Sequence, residues 1–496
     1  MTPAEEVDTK VEQDESLSGA DIEEAPGKGA AIGTAATSSK PVWPLWKLIL
    51  MALPQLGVQV MWSFIGPNAA PYMIHLGVGP ALATLNNVAG PTTGFFTGPI
   101  IGAWSDRLTS RWGRRRPIIL GGLLSTWVAG ALFSCSEHIF SGETAKIAFA
   151  VPMYWTLDVT INILQTPHRA LVSDLASKEQ QVPMQVVFVV MMAAGNFIGY
   201  SMMTIWEVPV EHMWELMLMI CALNTLCIGV QFSIAKEEPL VSLSPSGQAC
   251  CASITNIVQS VSGMPRLLYH LALVQCLVWI GNTAWTYYGA QWFANSVYDG
   301  NLDAEDGSAA KNNYRDGMSA YSLGGQLRSG LQLLSALVII AIMLLTRLRP
   351  RSVYAPCIFF GALVSFLAAF AVGHSGVFAI LCWTGSIMPE TGSFAIPFGL
   401  VAILNKRAEE EGKQVSTALQ MALLNCCVTV GQEVCHLALA IIEHRMVLKA
   451  ALPCVFILAG AAHSLGGAAA LCLDDTPSAS GHGAEGRKAD DGVESS

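Results

Sequence analysis

"GAWSDRLTSRWGRRRP" fills residues 102–117, between two apolar runs that are each long enough to cross a bilayer. Arg107, Arg111, Arg114, Arg115 and Arg116 crowd this one short connection. Basic residues beside membrane spans stay on the cytoplasmic side, so the loop orients its neighbours. Two further connections carry the same mark: Arg347, Arg349 and Arg351 in one, Lys406, Arg407 and Lys413 in the other. All three fall on one face if the chain crosses twelve times. The expected spans are 45–67, 80–104, 117–135, 146–173, 183–205, 214–235, 265–294, 318–346, 352–373, 376–404, 415–442 and 447–473. The longest connection on the other face, 295–317, is acidic on balance and fits an outer surface. Both termini are then cytoplasmic.

Composition agrees. Of 496 residues, 52% are hydrophobic and 13% charged, against roughly 25% charged in a soluble domain. Residues 1–44 and 474–496 are rich in small and acidic side chains and are expected to be disordered tails. The first is no signal peptide, since no apolar core follows a basic start. The net charge of −10 says little about partners, because much of the acid lies in the tails. No basic face points to nucleic acid. Most of the 13 cysteines fall inside apolar runs, where they act as small hydrophobes. Cys250 and Cys251 lie in a loop that palmitoylation would suit, although an unmodified loop is the simpler reading.

The basic loops after the second and eighth spans occupy matching places in two six-span halves. This points to an internal duplication, with halves 45–235 and 265–473 joined by a cytoplasmic link at 236–264. The expected fold is an all-α polytopic membrane protein, twelve helices in two six-helix bundles around a central site.

Inside the fourth span, "LDVTINILQTPHRALVSDL" (157–175) carries side chains that a bilayer does not tolerate. Asn162, Gln165 and Arg169 follow Asp158 by 4, 7 and 11 residues. At about 100° per residue, eleven steps return to within roughly 20° of the start, so all four share a stripe. Lipid offers them no partners, so the stripe must face protein or water. Polar glue between helices would account for Asn162 alone. Two ionisable groups on the same stripe favour a transport cavity. Asp158 and Arg169 do not neutralise each other directly, being roughly 16 Å apart along a helix. The guanidinium fork of Arg169 suits several sugar hydroxyls, or Asp174 five residues on. His168 points about 100° away and reads as a packing or gate residue.

The stretch from Gly102 to Pro117 resembles the span two-three signature of the major facilitator superfamily. "GVQVMW" (57–62), Pro71 with Tyr72, "GPTTGFFTGPIIGAWSD" (90–106), "LQTPHRALVSDL" (164–175) and "GNFIGY" (195–200) follow in order. "IPFGLVAILNK" (396–406) and "ALLNCCVTVGQ" (422–432) continue the series more weakly. Together they resemble the sucrose:proton symporters within the glycoside-pentoside-hexuronide cation symporters. The resemblance implies proton-coupled sugar transport by alternating access, with Asp158 at the proton site and Arg169 on the sugar. It also implies a cytoplasmic gate at Gly102, Asp106, Arg111 and Arg115. There Gly102 would permit close helix approach, and the charges would form an ion-pair latch between the halves.

Some residues depart from that family. Its acidic pattern in span seven becomes "YGAQWFANSVY" (288–298), with Gly289 and Gln291 at the acidic positions. An arginine of the following span is replaced by Ser319. Glu390, in "MPETGSFAIPF", is an added acid in span ten. It reads as a second proton site, a partner for Arg328 of span eight, or an exposed helix-end acid. Asn425 and Gln432 share a face of span eleven as sugar contacts or interhelical glue. Asn196, in the matched "GNFIGY", and Gln291 complete the candidate sugar ligands. Trp62, in a matched motif, is the favoured aromatic platform for a pyranose ring, over Trp285 and Trp292.

The expected partners are a small sugar, protons and the lipid bilayer, with a monomeric carrier and no cofactor. A facilitative uniporter and a non-transporting sugar sensor are the alternatives. No nucleophile–base set, metal spacing or phosphate loop points to an enzyme. The expected address is the plasma membrane rather than a vacuolar or other internal membrane.

Overall fold

The computed structural model describes residues 42–177, 180–206, 208–237, 266–346, 348–370, 375–410, 417–446 and 448–473. Most of both expected tails and of the central link, with Cys250 and Cys251, lies outside these residues. So do the side chains of Asp106, Arg107, Arg347, Lys406, Arg407 and Lys413. Trp43, expected in the tail, is instead held by the turn between spans four and five: its indole donates to the Leu175 carbonyl at 3.1 Å and its backbone to Gln180 at 2.9 Å.

The spans follow in order. The first half contains α1 (Leu45–His75), α2 (Pro80–Asn86) with α3 (Ala89–Arg107), α4 (Arg116–Ser134), α5 (Glu143–Leu175), α6 (Gln181–Ile205) and α7 (Met213–Ile234). The second contains α8 (Arg266–Gln291) with a π-turn at Trp292–Val297, α9 (Ala309–Leu345), α10 (Pro350–Phe370), α11 (Gly376–Gly385) with α12 (Ile387–Glu410), α13 (Thr417–Arg445) and α14 (Leu448–Leu471). Ten of the spans contain a helix that is long and apolar enough to cross a membrane unaided. The other two, spans two and ten, are each broken into two helices. The protein is an integral multi-pass membrane protein with twelve spans.

Both breaks have the same cause. Pro91 and Pro389 lack the N–H that would bond to the carbonyls of Asn87 and Gly385, where the helices stop. Proline alone does not break a span, since Pro67 and Pro167 sit in continuous helices. At each break a residue with weak helix propensity, Asn87 or Gly385, coincides with the missing bond.

Two boundaries differ from expectation because hydropathy does not register a helix that continues beyond the bilayer. α1 runs on to His75, and α9 starts at Ala309 rather than 318. Ser308 caps α9, accepting from the Lys311 backbone at 3.2 Å. Part of the expected 295–317 loop is therefore helix.

Within the halves, small residues set the helix spacing. A Cβ on Gly122 would lie 2.8 Å from the Leu164 backbone nitrogen, and one on Gly195 would lie 2.5 Å from the Leu56 carbonyl. In the second half Trp285, Trp292, Trp383 and Phe456 stack into one buried aromatic core. Trp285 and Trp292 are therefore packing residues here. The halves meet where α6 packs on α9, α2 and α3 on α13, and α1 on α8. Lys311 adds an ion pair across the same seam, 2.6 Å from Glu211 and at the end away from the arginine loop.

Candidate functional site

The stripe of α5 forms a connected polar chain. The Trp62 indole donates to Gln165 at 3.2 Å, the Gln165 amide donates to Asn162 at 2.7 Å, and the Asn162 amide donates to Thr93 at 3.2 Å. Nε of Arg169 donates to the buried Gln55 at 2.9 Å. Among the described residues this is the one hydrogen bond of the Arg169 side chain. The residue as a whole is exposed although it lies well inside a span. Asp158 and Arg169 make no bond to each other.

Asp158 is 1% exposed, and neither carboxylate oxygen has a hydrogen-bond partner. It lies where α3 offers almost no side chains. Gly90, Gly94 and Gly98 recur every four residues and face α5. A Cβ on Gly90 would sit 3.7 Å from Asp158 Oδ1, 3.6 Å from the Tyr287 hydroxyl and 3.9 Å from the Trp62 ring. One on Gly94 would sit 3.4 Å from Asn162 Oδ1. An acid of the first half and a phenol of the second thus converge beside Gly90.

Glu390 lies inside span ten and bonds to Arg328 of α9, so the exposed helix-end alternative does not hold. The pair is buried, with side-chain exposures of 5% for Arg328 and 12% for Glu390. The guanidinium lies 4.4 Å from the Trp383 ring centre. Tyr200 of α6 packs edge-on against both Tyr321 and Trp383, extending this aromatic wall across the seam.

The arginine loop is anchored by its own neighbours. Arg114 and Arg115 reach Asp174 at 2.8 and 3.0 Å, Arg115 also reaches Ser105, and the Arg115 backbone donates to Glu237. Gly113 makes this possible with φ +95°, where a Cβ would collide with Glu237. Asp174 and Ser105 belong to the first half and Glu237 to the link that follows it, so these bonds tie the ends of spans two, three, four and six together, while the Asp106 side chain of the expected gate lies outside the described residues. Asp174 is engaged here, not with Arg169. Arg111 is exposed and lies over Trp112. A Cβ on Gly102 would meet nothing within 4 Å among the described residues, whereas Gly90, Gly94 and Gly98 face neighbouring side chains at ordinary contact distance.

Other expected residues are dispersed. Asn196 accepts from Gln59 at 2.9 Å and donates to Gln332 of α9 at 3.1 Å, which places it on the seam. Gln291 is buried, with its Oε1 unpartnered and no bond to the stripe. Asn425 is exposed and Gln432 half-buried, and neither side chain has a hydrogen-bond partner among the described residues. His168 is fully buried edge-on against Phe188, a packing residue as expected.

Sequence reasoning missed Gln55, Gln59, Thr93, Tyr287 and Gln332. It had a signal for some of them. Gln55, Gln59 and Trp62 are spaced 4 and 7 residues along α1, a polar stripe that mirrors the one on α5. It also passed over Glu433, next to Gln432, whose carboxylate accepts from Thr92 of α3.

A family described as MFS/sugar transport protein matches residues 50–305. Sucrose transport protein SUT1 of Oryza sativa subsp. japonica is 28% identical over 56% of this chain and 57% of its own length. The chain thus spans little more than half of that relative. Sucrose transport protein SUC4 of Arabidopsis thaliana is 25% identical over 78% of this chain and 82% of its own. Among solved structures, a D-xylose-proton symporter superposes with TM-score 0.61 at 11% identity, covering 87% of this chain and 98% of that one. This last likeness concerns the fold alone.

Proposed function

From the premise that this chain belongs to the MFS/sugar transport protein family, we propose that it carries a sugar, sucrose or a related glycoside, together with a proton by alternating access. The supporting observation is the divided stripe on α5: a guanidinium at Arg169 whose one bond among the described residues is to Gln55, and a dry, unpartnered carboxyl at Asp158. Arg169, Asn162, Gln165 and Trp62 are the sugar-facing group, and Asn196 and Gln332 close the seam beside them. Gln291, Asn425 and Gln432 are secondary contacts for other states of the cycle. An ionised carboxylate without donors leaves its charge unsolvated, whereas a neutral acid does not. Asp158 therefore suits a group that is neutral while enclosed and ionised once water reaches it. One proton moving inward across 100 mV releases about 2.3 kcal/mol, and one pH unit adds about 1.4 kcal/mol. Together they support accumulation of roughly several hundred-fold.

Uptake of labelled sucrose, maltose and glucose into proteoliposomes, with and without an imposed pH gradient, tests the reading. Saturable, gradient-dependent uptake is expected. Saturable uptake indifferent to the gradient would make the protein a uniporter, and none at all a sensor. In the same assay Arg169→Lys should weaken apparent sugar affinity by about tenfold or more, since an ammonium cannot reproduce the planar fork. Near-wild-type affinity at equal expression would remove Arg169 from the sugar site.

The arginine end is assigned to the cytoplasm together with both termini, on the charge asymmetry of the loops, and the plasma membrane is the proposed location. A tag between residues 300 and 312 is expected to be reachable from outside intact cells, and one at 242–247 only after permeabilisation. Both tags on one face would overturn the twelve-span arrangement.

A further inference from the structure

The seam between α2 and α13 holds an acid that the stripe does not use. Glu443 is 7% exposed, its Oε2 accepts from Thr84 across the seam, and its Oε1 has no partner. Tyr288 of α8 and Asn87, at the span-two break, are also buried here, with the Tyr288 hydroxyl beside Thr84 and Asn87. No cation engages the acid among the described residues. His444 and Arg445, next along α13, are exposed and make no ion pair with it. His436, two turns earlier, is fully buried against Tyr287. On the other elements packed against α13, Glu390 is bound to Arg328 and His463 to Asn282.

We propose that Glu443 is a second proton-binding site, one that must be loaded before the end of the molecule away from the arginine loop can close. Thr84 and Glu443 come from opposite halves, so alternating access must part them. Parted, the carboxyl meets water and ionises freely. Joined, it has one hydroxyl donor and a dry second oxygen, an arrangement that accommodates a neutral acid and penalises a carboxylate. Closure at this end therefore takes up a proton from that side, and reopening returns it there. The site biases the conformational equilibrium with pH and adds nothing to the count of protons carried. It rests on the alternating-access reading, and neither Asp158 nor sugar enters the argument.

Hydrogen–deuterium exchange of the purified protein in lipid nanodiscs, without sugar, tests it. Exchange in residues 80–88, corrected for the intrinsic rate, is expected to rise from about pH 5.5 to about pH 8, by up to about tenfold per unit for a single linked proton. A peptide from α4 serves as control. Glu443→Gln, an uncharged mimic of the acid, should keep exchange low at both pH values. Thr84→Ala should raise it at low pH with the control unchanged, and it keeps the test available if the first variant folds poorly. A wild type with no pH response at this seam overturns the proposal, as does a Glu443→Gln that follows the wild type or a silent Thr84→Ala. A wild type with no gradient-driven uptake that still shows the exchange response would reject proton symport and leave Glu443 standing.

Discussion

Asp158→Asn is expected to abolish gradient-driven accumulation while sparing sugar binding and exchange at equal pH. Asparagine keeps the shape and hydrogen-bonding capacity of the side chain but cannot gain or lose a proton in the physiological range. Stability should hold, because no donor points at Asp158 and none is stranded by the change. The loss would remove the full driving force of the proton, so concentration ratios should collapse from several hundred-fold to about one. The measurement is the steady-state sugar ratio across proteoliposomes under an imposed pH difference, with counterflow at equal pH as the binding control. A variant that still concentrates sugar would leave the coupling proton without Asp158.

The second large effect is on stability. Glu390→Gln leaves the Arg328 guanidinium buried without its counter-charge, and breaking such a pair costs about 3–5 kcal/mol. A fall in thermal stability of several degrees in detergent is expected. Arg328→Met combined with Glu390→Met should recover most of it, because an apolar pair of similar volume is often neutral or better. The double variant also decides the role of Glu390. If pH-dependent uptake survives in it, the pair is structural and Asp158 carries the coupling alone. If coupling is lost at normal stability, Glu390 handles a proton. A Glu390→Gln protein as stable as wild type would mean that the pair is not mutually dependent.

Much of this arrangement was legible in the sequence. Length and apolarity gave the spans, and the period of 3.6 residues placed Asp158, Asn162, Gln165 and Arg169 on one stripe. The pairing of Glu390 with Arg328 was open to anticipation because an isolated charge inside a span requires a partner. Periodicity gives the face of a helix but not the neighbour it meets. The arginine loop shows this: its charges were legible, while their partners Asp174 and Glu237 depend on how four spans pack. Gly102 belongs to the familiar motif, yet the glycines that face α5 fall four, eight and twelve residues earlier. Thr84 and Glu443 lie hundreds of residues apart, and no local rule joins them. The breaks at Asn87 and Gly385 escaped because proline is tolerated elsewhere in the same kind of helix.

The glycine ladder on α3 has a mechanical meaning. Packed helices normally mesh like gears, each row of side chains seated in a groove of its neighbour, so relative movement proceeds in jumps. Opposite Asp158, Asn162 and Thr166 three successive turns of α3 present glycine, with Thr93 still reaching Asn162. The backbone of α3 is a smooth bearing there, and α5 can tilt or slide against it by a fraction of a turn without lifting over a ridge. The polar stripe is mounted on a contact with few ridges, so small displacements of Asp158 meet little steric resistance from α3.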